Sequence, residues 1–405
     1  MFYSLNEDVY LVEGISNDAI YNLVDGNLYQ INKNDSNSIK SIIAKNITYS
    51  FSSDQKQIIK QLNDKHIIRI TENKNIQCIK NCKINPKYNF AWIEVCNNCN
   101  LKCKHCYNNS SALRNSFMSL EDFKKVCFEL HQLDIQKIQI IGGEPFCHPQ
   151  IMQMLEYASS VFSFIEIFTN GTLITEDICS FIKDKEIKIA VSIYSYIPNE
   201  HDKITMASGS FNKTYKLLNN LKNLGIKYRV ATVHMKDQCL GKRNGEPFIL
   251  NPVKDVIRLS GRANVSLLTP ELLKRKLITR ESFKNKLNKT KVIENVNFHQ
   301  CFGKKLYISS TLEVYPCVME RRISHGNMKM HNLSTLLNPE IQCLNKDFID
   351  ECKYCELRYA CFDCRPDSLD NNLLSKPYYC TYDVKNGKWQ NVEEFVNNLF
   401  SKKSH

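Results

Sequence analysis

The chain lacks any apolar run approaching the length needed to span a bilayer, and its start, MFYSLNEDVY, carries acidic residues where a secretory signal carries positive charge. Those absences argue against a helical membrane anchor and lead to the expectation of a cytoplasmic protein. Internal repeats and low-complexity tracts are missing as well. So is a block of like charge: 54 Lys and Arg against 42 Asp and Glu give a net charge of +12, but the excess is scattered through stretches rich in Asn, Lys and Ile. Such a surface favours acidic partners without requiring nucleic acid. With 405 residues and 43% hydrophobic content, two or three domains with cores of their own are expected.

Cysteine, by contrast, is abundant. Eighteen thiols are many for a reducing compartment where disulfides are rare, so metal binding is the first explanation. Cys99, Cys103 and Cys106 form one tight group and Cys352, Cys355, Cys361 and Cys364 another, with Cys301, Cys317 and Cys380 around it. The other eight, among them Cys127, Cys147, Cys179 and Cys239, stand alone or in weak pairs and read as small buried hydrophobes.

Residues 1–75 read as a small separate module. Three short apolar runs at 9–14, 18–23 and 27–32, separated by Asn, Asp and Gly, predict strands. Asp35 and Ser36 are candidate caps for a helix over SIKSIIAKN, and Ser52 to Asp54 for a second over QKQIIKQLNDK. A closing strand, HIIRI, would complete a three-stranded, winged-helix-like module, either a recognition unit or a structural cap. Residues 76–88 read as a linker. From 89 to 294 strand-like and helix-like runs alternate, with strands at 91–95, 138–143, 164–171, 187–194 and 226–233 and one more near 255–259. This is the pattern of βα units around a parallel sheet and predicts a partial (βα)6 barrel, α/β in class, with chemistry at the C-terminal strand ends. The pattern loosens from about 245, a Lys-rich helical stretch is expected around 270–290, residues 295–390 are the cysteine-rich domain, and 391–405 form a tail.

The loop CNLKCKHC, placing Cys99, Cys103 and Cys106 directly after the first barrel strand, can hold three irons of a cubane cluster and leave the fourth open. Zinc is the competing reading, with Cys96 or His105 as a fourth ligand. At the end of the second strand, Gly142 and Gly143 let the backbone approach a ligand closely, and Glu144, before Pro145, can accept from an ammonium group.

Together these motifs resemble the signature of the radical S-adenosylmethionine (SAM) superfamily. The resemblance implies that SAM chelates the open iron and is cleaved to a 5′-deoxyadenosyl radical that abstracts hydrogen from the substrate. It implies that His105 lies near the adenine and that Gly142, Gly143, Glu144 and Pro145 contact the methionyl amino group. It further implies SAM contacts from Thr169 and Asn170, ending the third strand, and from Ser192, ending the fourth, and backbone of Val230 to Val233 beside the adenine. The stretch HDKIT to GSF (201–211) is also similar, but Thr205 stands near where many relatives have Arg for the SAM carboxylate.

Residues 295–390 resemble the SPASM extension of these enzymes, which carries two auxiliary 4Fe-4S clusters. Matched by position, Cys301, Cys317 and Cys364 would serve the first cluster and Cys352, Cys355, Cys361 and Cys380 the second. This chain departs from the pattern in a final spacing of two residues where three is usual, and in Leu312 at the place of a glycine before the second cysteine. A zinc ribbon over 352–364 would need a longer gap between its Cys pairs. The resemblance covers 89 to about 385, and residues 1–75 are similar in order to leader-binding modules of ribosomal-peptide maturases, which add a strand of the leader to their sheet.

The implied activity is therefore peptide maturation, with a cross-link such as a thioether as product, a ribosomally made precursor as partner and an electron donor such as ferredoxin or flavodoxin. An anaerobic sulfatase-maturing, formylglycine-generating enzyme is the alternative. Such relatives carry an acidic residue directly after the second cysteine of the extension, where Val318 stands, and a further cysteine just upstream of Cys301, where Asn297, Phe298 and His299 stand. A zinc-containing DNA-binding protein is the alternative from another class. It leaves the GGEP motif and the βα series unexplained.

Overall fold

The computed structural model describes residues 1–72, 77–239 and 268–401, together with the backbone of 242–243, 246–247 and 256–259. Much of the loosened stretch beyond 245, and the last four residues of the tail, lie outside the described residues. Among the described residues no helix is long and apolar enough to cross a membrane. Two compact units form, one from Met1–Pro86, Leu277–Gln300 and Cys343–His405, the other from Lys87–Lys276 and Cys301–Gln342.

The first unit begins with β1 (Phe2–Leu5), β2 (Val9–Glu13), β3 (Asn17–Asn22), β4 (Asn27–Asn32), α1 (Lys33–Ala44), α2 (Ser53–Asp64) and β5 (Ile68–Thr71). β2, β3 and β4 make an antiparallel meander in which side chains alternate between two buried faces. Val9 and Ile20 join Ile39, Ile43 and Leu62 of the two helices, whereas Tyr10, Val12, Ala19 and Tyr21 pack with Val292, Val296, Leu357 and Tyr359 from later in the chain. Two expectations are corrected. The closing strand β5 pairs antiparallel with β1, not with the meander. And α1 is capped by Asn32, which accepts from the Asp35 amide, while Ser36 lies inside the helix and donates to Asp18. Helix α2 has the expected cap: Ser52 and Gln55 bond reciprocally in a capping box.

In the second unit β6 (Phe90–Glu94), α3 (Leu120–Gln132), β7 (Lys137–Ile141), α4 (Ile151–Val161), β8 (Phe164–Thr169), α5 (Glu176–Asp184) and β9 (Lys188–Ser192) alternate. α6 (Pro198–Thr205), α7 (Ser210–Asn223), β10 (Tyr228–His234), the short pair β11 (Lys242–Arg243) and β12 (Glu246–Pro247), and β13 (Val256–Leu259) follow. Strands run in the order β13-β10-β9-β8-β7-β6, all parallel, as a partial barrel requires. Ile93, Ile138, Ile140, Ile165, Ile167, Ile189 and Val191 turn outward into one core with Phe123, Leu130, Met154, Leu155, Ile182 and Leu217 of the helices. The opposite face of the sheet is polar. There the Trp92 indole donates to Gln139 at 2.8 Å, Gln139 donates to Glu166, and Arg229 reaches Glu166 at 2.6 and 2.7 Å. This two-sided alternation is what made the strands legible.

The Lys-rich stretch is not one helix. α8 (Pro270–Lys274), a 3-10 turn at Arg280–Phe283 and α9 (Lys289–Asn297) each start afresh, at Thr269, Thr279 and Asn288 respectively. Beyond them β14 (Lys305–Ile308) adds to the barrel sheet parallel to β6, and β15 (Glu313–Tyr315) and β16 (Gly326–Asn327) extend it antiparallel. The short helices α10 (Leu333–Leu336) and α11 (Pro339–Gln342) follow, and the hairpin β17 (Tyr382–Asp383) and β18 (Lys388–Trp389) and helix α12 (Val392–Ser401) complete the first unit.

Candidate cluster sites

The loop after β6 is fixed from two sides before its cysteines are considered. The Lys102 and Lys104 amides donate to the Thr205 and Ile204 carbonyls at 3.2 and 3.0 Å, so the end of α6 holds the middle of the loop, and the Cys99 amide reaches the Ser111 carbonyl at 3.2 Å. Three N–H donors aim at sulfur: the Leu101 amide at Cys99, 3.4 Å; the Ser110 amide at Cys106, 3.4 Å; and the Asn170 side chain at Cys99, 3.9 Å. Burial pushes the Cys99 thiol up to about 12 and Cys103 higher, so metal binding must expel their protons. Donors aimed at sulfur suit thiolate ligands of a cluster. Among the described residues no three such side chains close on the point a single metal ion would occupy. Thiolates at the corners of a cubane stand farther apart than that. Cys96 is not a spare ligand: its buried thiol donates to the Glu144 carbonyl at 3.3 Å.

The GGEP turn packs directly on this loop. The Gly143 and Glu144 amides donate to the Cys96 and Asn98 carbonyls at 2.7 and 2.8 Å. A Cβ on Gly142 would lie 2.7 Å from the Cys96 carbonyl oxygen, and one on Gly143 2.2 Å from that of Asn98. The close approach that demands glycine is therefore to the cysteine loop itself. Glu144 follows these glycines. Its fully buried carboxylate accepts from the Thr169 hydroxyl and Asn170 amide, both at 2.7 Å, and from the Phe146 amide at 3.2 Å. Burial outweighs these bonds and pushes its pKa up to about 7. It ties the end of β7 to the end of β8. Pro145 opens the 3-10 turn that follows. Asn170, held this way, spends its side-chain amide on Asn100, at 2.9 Å, and on Cys99.

His105 stands edge-on to Tyr194 with ring centroids 4.3 Å apart, and Tyr194 stacks on His201 at 5.6 Å. Burial, and then the neighbouring His201, hold His105 down to about 4, so it is neutral, and its buried Nδ1 finds no partner among the described residues. The Tyr194 hydroxyl interacts with Ser192 and with Cys103. The sequence reading missed Tyr194, though it lies two residues beyond the strand-ending Ser192. It also left Asp202 unassigned, which caps α7 by accepting from Gly209, Ser210 and Phe211. Thr205 is buried and bonds Ser210.

In the first unit, Cys352, Cys355, Cys361 and Cys380 line one cavity with Lys346, Lys376, Arg358 and Tyr382. Donors aim at sulfur here too: the Leu357 amide at Cys355, the Tyr382 amide at Cys380, and Lys346 Nζ at Cys361, 3.7 Å away. The four thiols matched to one cluster line a single cavity, with donors that suit thiolate ligands. Cys301 and Cys317 belong to the barrel unit and Cys364 to the other. Leu312, in the glycine's place, keeps the left-handed backbone with φ +68° and buries its side chain in the barrel core. Of the lone cysteines, Cys127 and Cys179 are buried, Cys147 is half-buried and Cys239 is exposed.

Comparison with known proteins agrees with this geometry. The profile of the Radical SAM superfamily matches residues 93–237. The subtilosin biosynthesis protein AlbA of Bacillus subtilis is 27% identical over 332 residues, 76% of this chain and 73% of AlbA. Streptococcus suis SuiB bound to its precursor peptide SuiA shares the fold with a TM-score of 0.54 over 90% of this chain and 96% of SuiB, at 12% identity. anSMEcpe with bound AdoMet does so at 0.54 over 77% and 97%, at 16% identity. Residues 93–237 thus match a radical SAM domain, of the kind that uses a 4Fe-4S cluster and SAM, and the cysteine loop after β6 lies within that match.

Proposed function

We propose that this chain is a maturase that installs a cross-link, such as a thioether, in a ribosomally made peptide. Residues 1–75 would hold the leader, residues 89–294 would carry the radical chemistry, and residues 295–390 would hold auxiliary clusters. The observation carrying this reading is the presence in one chain of a three-thiol loop and a separate four-thiol cavity, each with donors aimed at its sulfurs. The relatives support it: AlbA is a biosynthesis protein for the bacteriocin subtilosin, and SuiB holds a precursor peptide.

Cys99, Cys103 and Cys106 would hold the cluster that, with SAM, supplies hydrogen-abstracting radical chemistry when bound. His105 and Tyr194 would form the apolar wall for the adenine, Ser192 and Thr169 the polar contacts, and the Gly142 to Pro145 turn the support for the methionyl end. Glu144 acts as a positioning residue by fixing Thr169 and Asn170. Cys301, Cys317 and Cys364 would serve the other auxiliary cluster. If that cluster keeps an iron open, it can take a substrate thiolate and activate it as a metal activates bound sulfur. The precursor's leader would add a strand to the N-terminal sheet, and a ferredoxin or flavodoxin would supply electrons. Val318, apolar and buried, stands where a formylglycine-generating relative has its base, which favours cross-linking.

The test is anaerobic co-expression with the cognate precursor, followed by fragmentation mass spectrometry. Loss of a hydrogen pair per cross-link, absent when Cys99, Cys103 and Cys106 are alanine, is the expected result. A peptide left unchanged despite SAM cleavage and full iron content would overturn peptide maturation, and oxidation of a Cys or Ser side chain to an aldehyde would establish the formylglycine reading.

A further inference from the structure

Lys346 is a long cationic side chain with 6% of its surface exposed, on a 3-10 turn at Lys346–Phe348 with no strand or helix of its own. It lines the four-thiol cavity and also a smaller neighbouring cavity formed by Phe298, His299, Asp363 and Arg365. Its Nζ is 2.6 Å from Asp363 Oδ1 and 3.7 Å from Cys361 Sγ. Arg365, fully buried, also pairs with Asp363, through Nε at 2.8 Å and through Nη2, and its Nη1 is spent on the Leu373 and Ser375 carbonyls at 2.9 Å. Two cations thus share one carboxylate, and the excess positive charge lies on the side of the sulfur. Burying an ammonium costs several kcal/mol unless it is paired and hydrogen-bonded. Arg365 takes Oδ2 of Asp363 and Lys346 faces Oδ1, so the one carboxylate neutralises only one of the two cations and leaves a positive charge beside the sulfur.

We propose that Lys346 is a positioning residue that donates a charge-assisted hydrogen bond to the Cys361 thiolate and raises the reduction potential of the cluster held by Cys352, Cys355, Cys361 and Cys380. The inference rests on the assignment of that cavity to an iron-sulfur cluster. Reduction adds one electron and hence one negative charge to the cluster. A fixed cation bonded to a ligand sulfur stabilises the reduced form more than the oxidised form, and hydrogen bonds to sulfur and local charge are levers that set such potentials. Tight pairing with Asp363 orders the ammonium, so the charge costs no reorganisation when the electron arrives.

The measurement is a dithionite titration followed by electron paramagnetic resonance, on full-length protein carrying Cys99, Cys103 and Cys106 as alanine to silence the SAM cluster. The signal of interest is the one that disappears in a further Cys361→Ala variant. Lys346→Met removes the charge and the donor while Arg365 still pairs Asp363; Lys346→Gln keeps a neutral donor; Lys346→Arg keeps the charge. The expected order of midpoints is wild type and Arg highest, Gln lower, and Met lowest, by at least a tenfold change in the reduction equilibrium, about 59 mV for one electron. Unchanged midpoints in Met and Gln, with iron retained, overturn the inference. If the Met variant loses its iron, the Gln midpoint decides alone. Lack of any Cys361-dependent signal and iron in the parent protein would instead overturn the cluster assignment itself.

Discussion

Cys99, Cys103 and Cys106 hang from a single loop whose ends are fixed by β6 and α3, over a core of isoleucines and helix side chains that is complete without metal. Cys352, Cys355, Cys361 and Cys380 come instead from 3-10 turns and coil, and what surrounds them is held by side chains. Arg358 donates to the Glu13 and Cys355 carbonyls, both at 2.8 Å, Tyr21 to the Glu356 carbonyl at 2.9 Å, and Tyr382 to the Glu356 carboxylate at 2.5 Å. One thiol group thus lies on a loop beside a packed barrel core, and the other lines a cavity within its own unit. If both hold clusters as proposed, loss of the second should be felt as unfolding and loss of the first as lost reactivity.

The strongest way to test this contrast is to empty each site separately. With Cys99, Cys103 and Cys106 all replaced by alanine, SAM cleavage should fall to the level of a no-enzyme control, read as 5′-deoxyadenosine, while the barrel unit still unfolds in one cooperative transition, since its hydrophobic core contains none of the three. Unfolding of the barrel would show that its core does depend on metal.

Cys355→Ala should do the opposite. Where metal binding supplies folding free energy, each 1.4 kcal/mol lost raises the opened fraction about tenfold. Limited proteolysis should therefore cut residues 343–380 at least about tenfold faster than in wild type. Cleavage should spread into β2 and β3, because Tyr21 bonds both Glu356 and Ala360. Cuts confined to the cysteine segment would separate the N-terminal module from the cluster.

The same contrast sets what the sequence could reveal. The βα series was legible because Ile93, Ile140, Ile167 and Ile189 repeat on one face with helices between, a local pattern. The spacing of Cys99, Cys103 and Cys106 was legible for the same reason. β14 was not foreseen, since its parallel pairing with β6 joins residues more than two hundred apart, and no local period records such a pairing. β5 was seen as a strand but its partner β1 was not, for a similar reason. Glu144 was found, but its tie to the next strand was not: only the folded chain shows that Thr169 and Asn170 donate to its carboxylate. Lys346 was passed over as one lysine among many, because burial beside a thiol leaves no trace in composition.

A smaller effect should come from Gly143→Ala. The added Cβ would sit 2.2 Å from a backbone oxygen, and overpacking of this kind costs about 1–3 kcal/mol, a drop of roughly 3–10 °C for a unit of this size. The loop that moves carries Asn98 and Cys99, so iron at the SAM site should fall along with stability while the four-thiol cavity keeps its own iron. Equal loss from both sites would argue that they are not independent.

Leu312 allows the finest comparison, because backbone strain and burial pull in opposite directions at one residue. Its left-handed φ of +68° costs a non-glycine residue about 1–2 kcal/mol, which Leu312→Gly would relieve. The same substitution removes a side chain that is 98% buried among Ile308, Val314 and Met328, and deleting a buried leucine costs about 2–5 kcal/mol. The second effect is larger, so the variant should be less stable by about 1–3 kcal/mol in denaturant unfolding of the barrel unit. Leu312→Ala keeps the strain and loses most of the burial, and should be worse than glycine. An alanine variant as stable as the glycine one would mean that the left-handed turn carries little strain, and that the residue type at this position is set by packing alone.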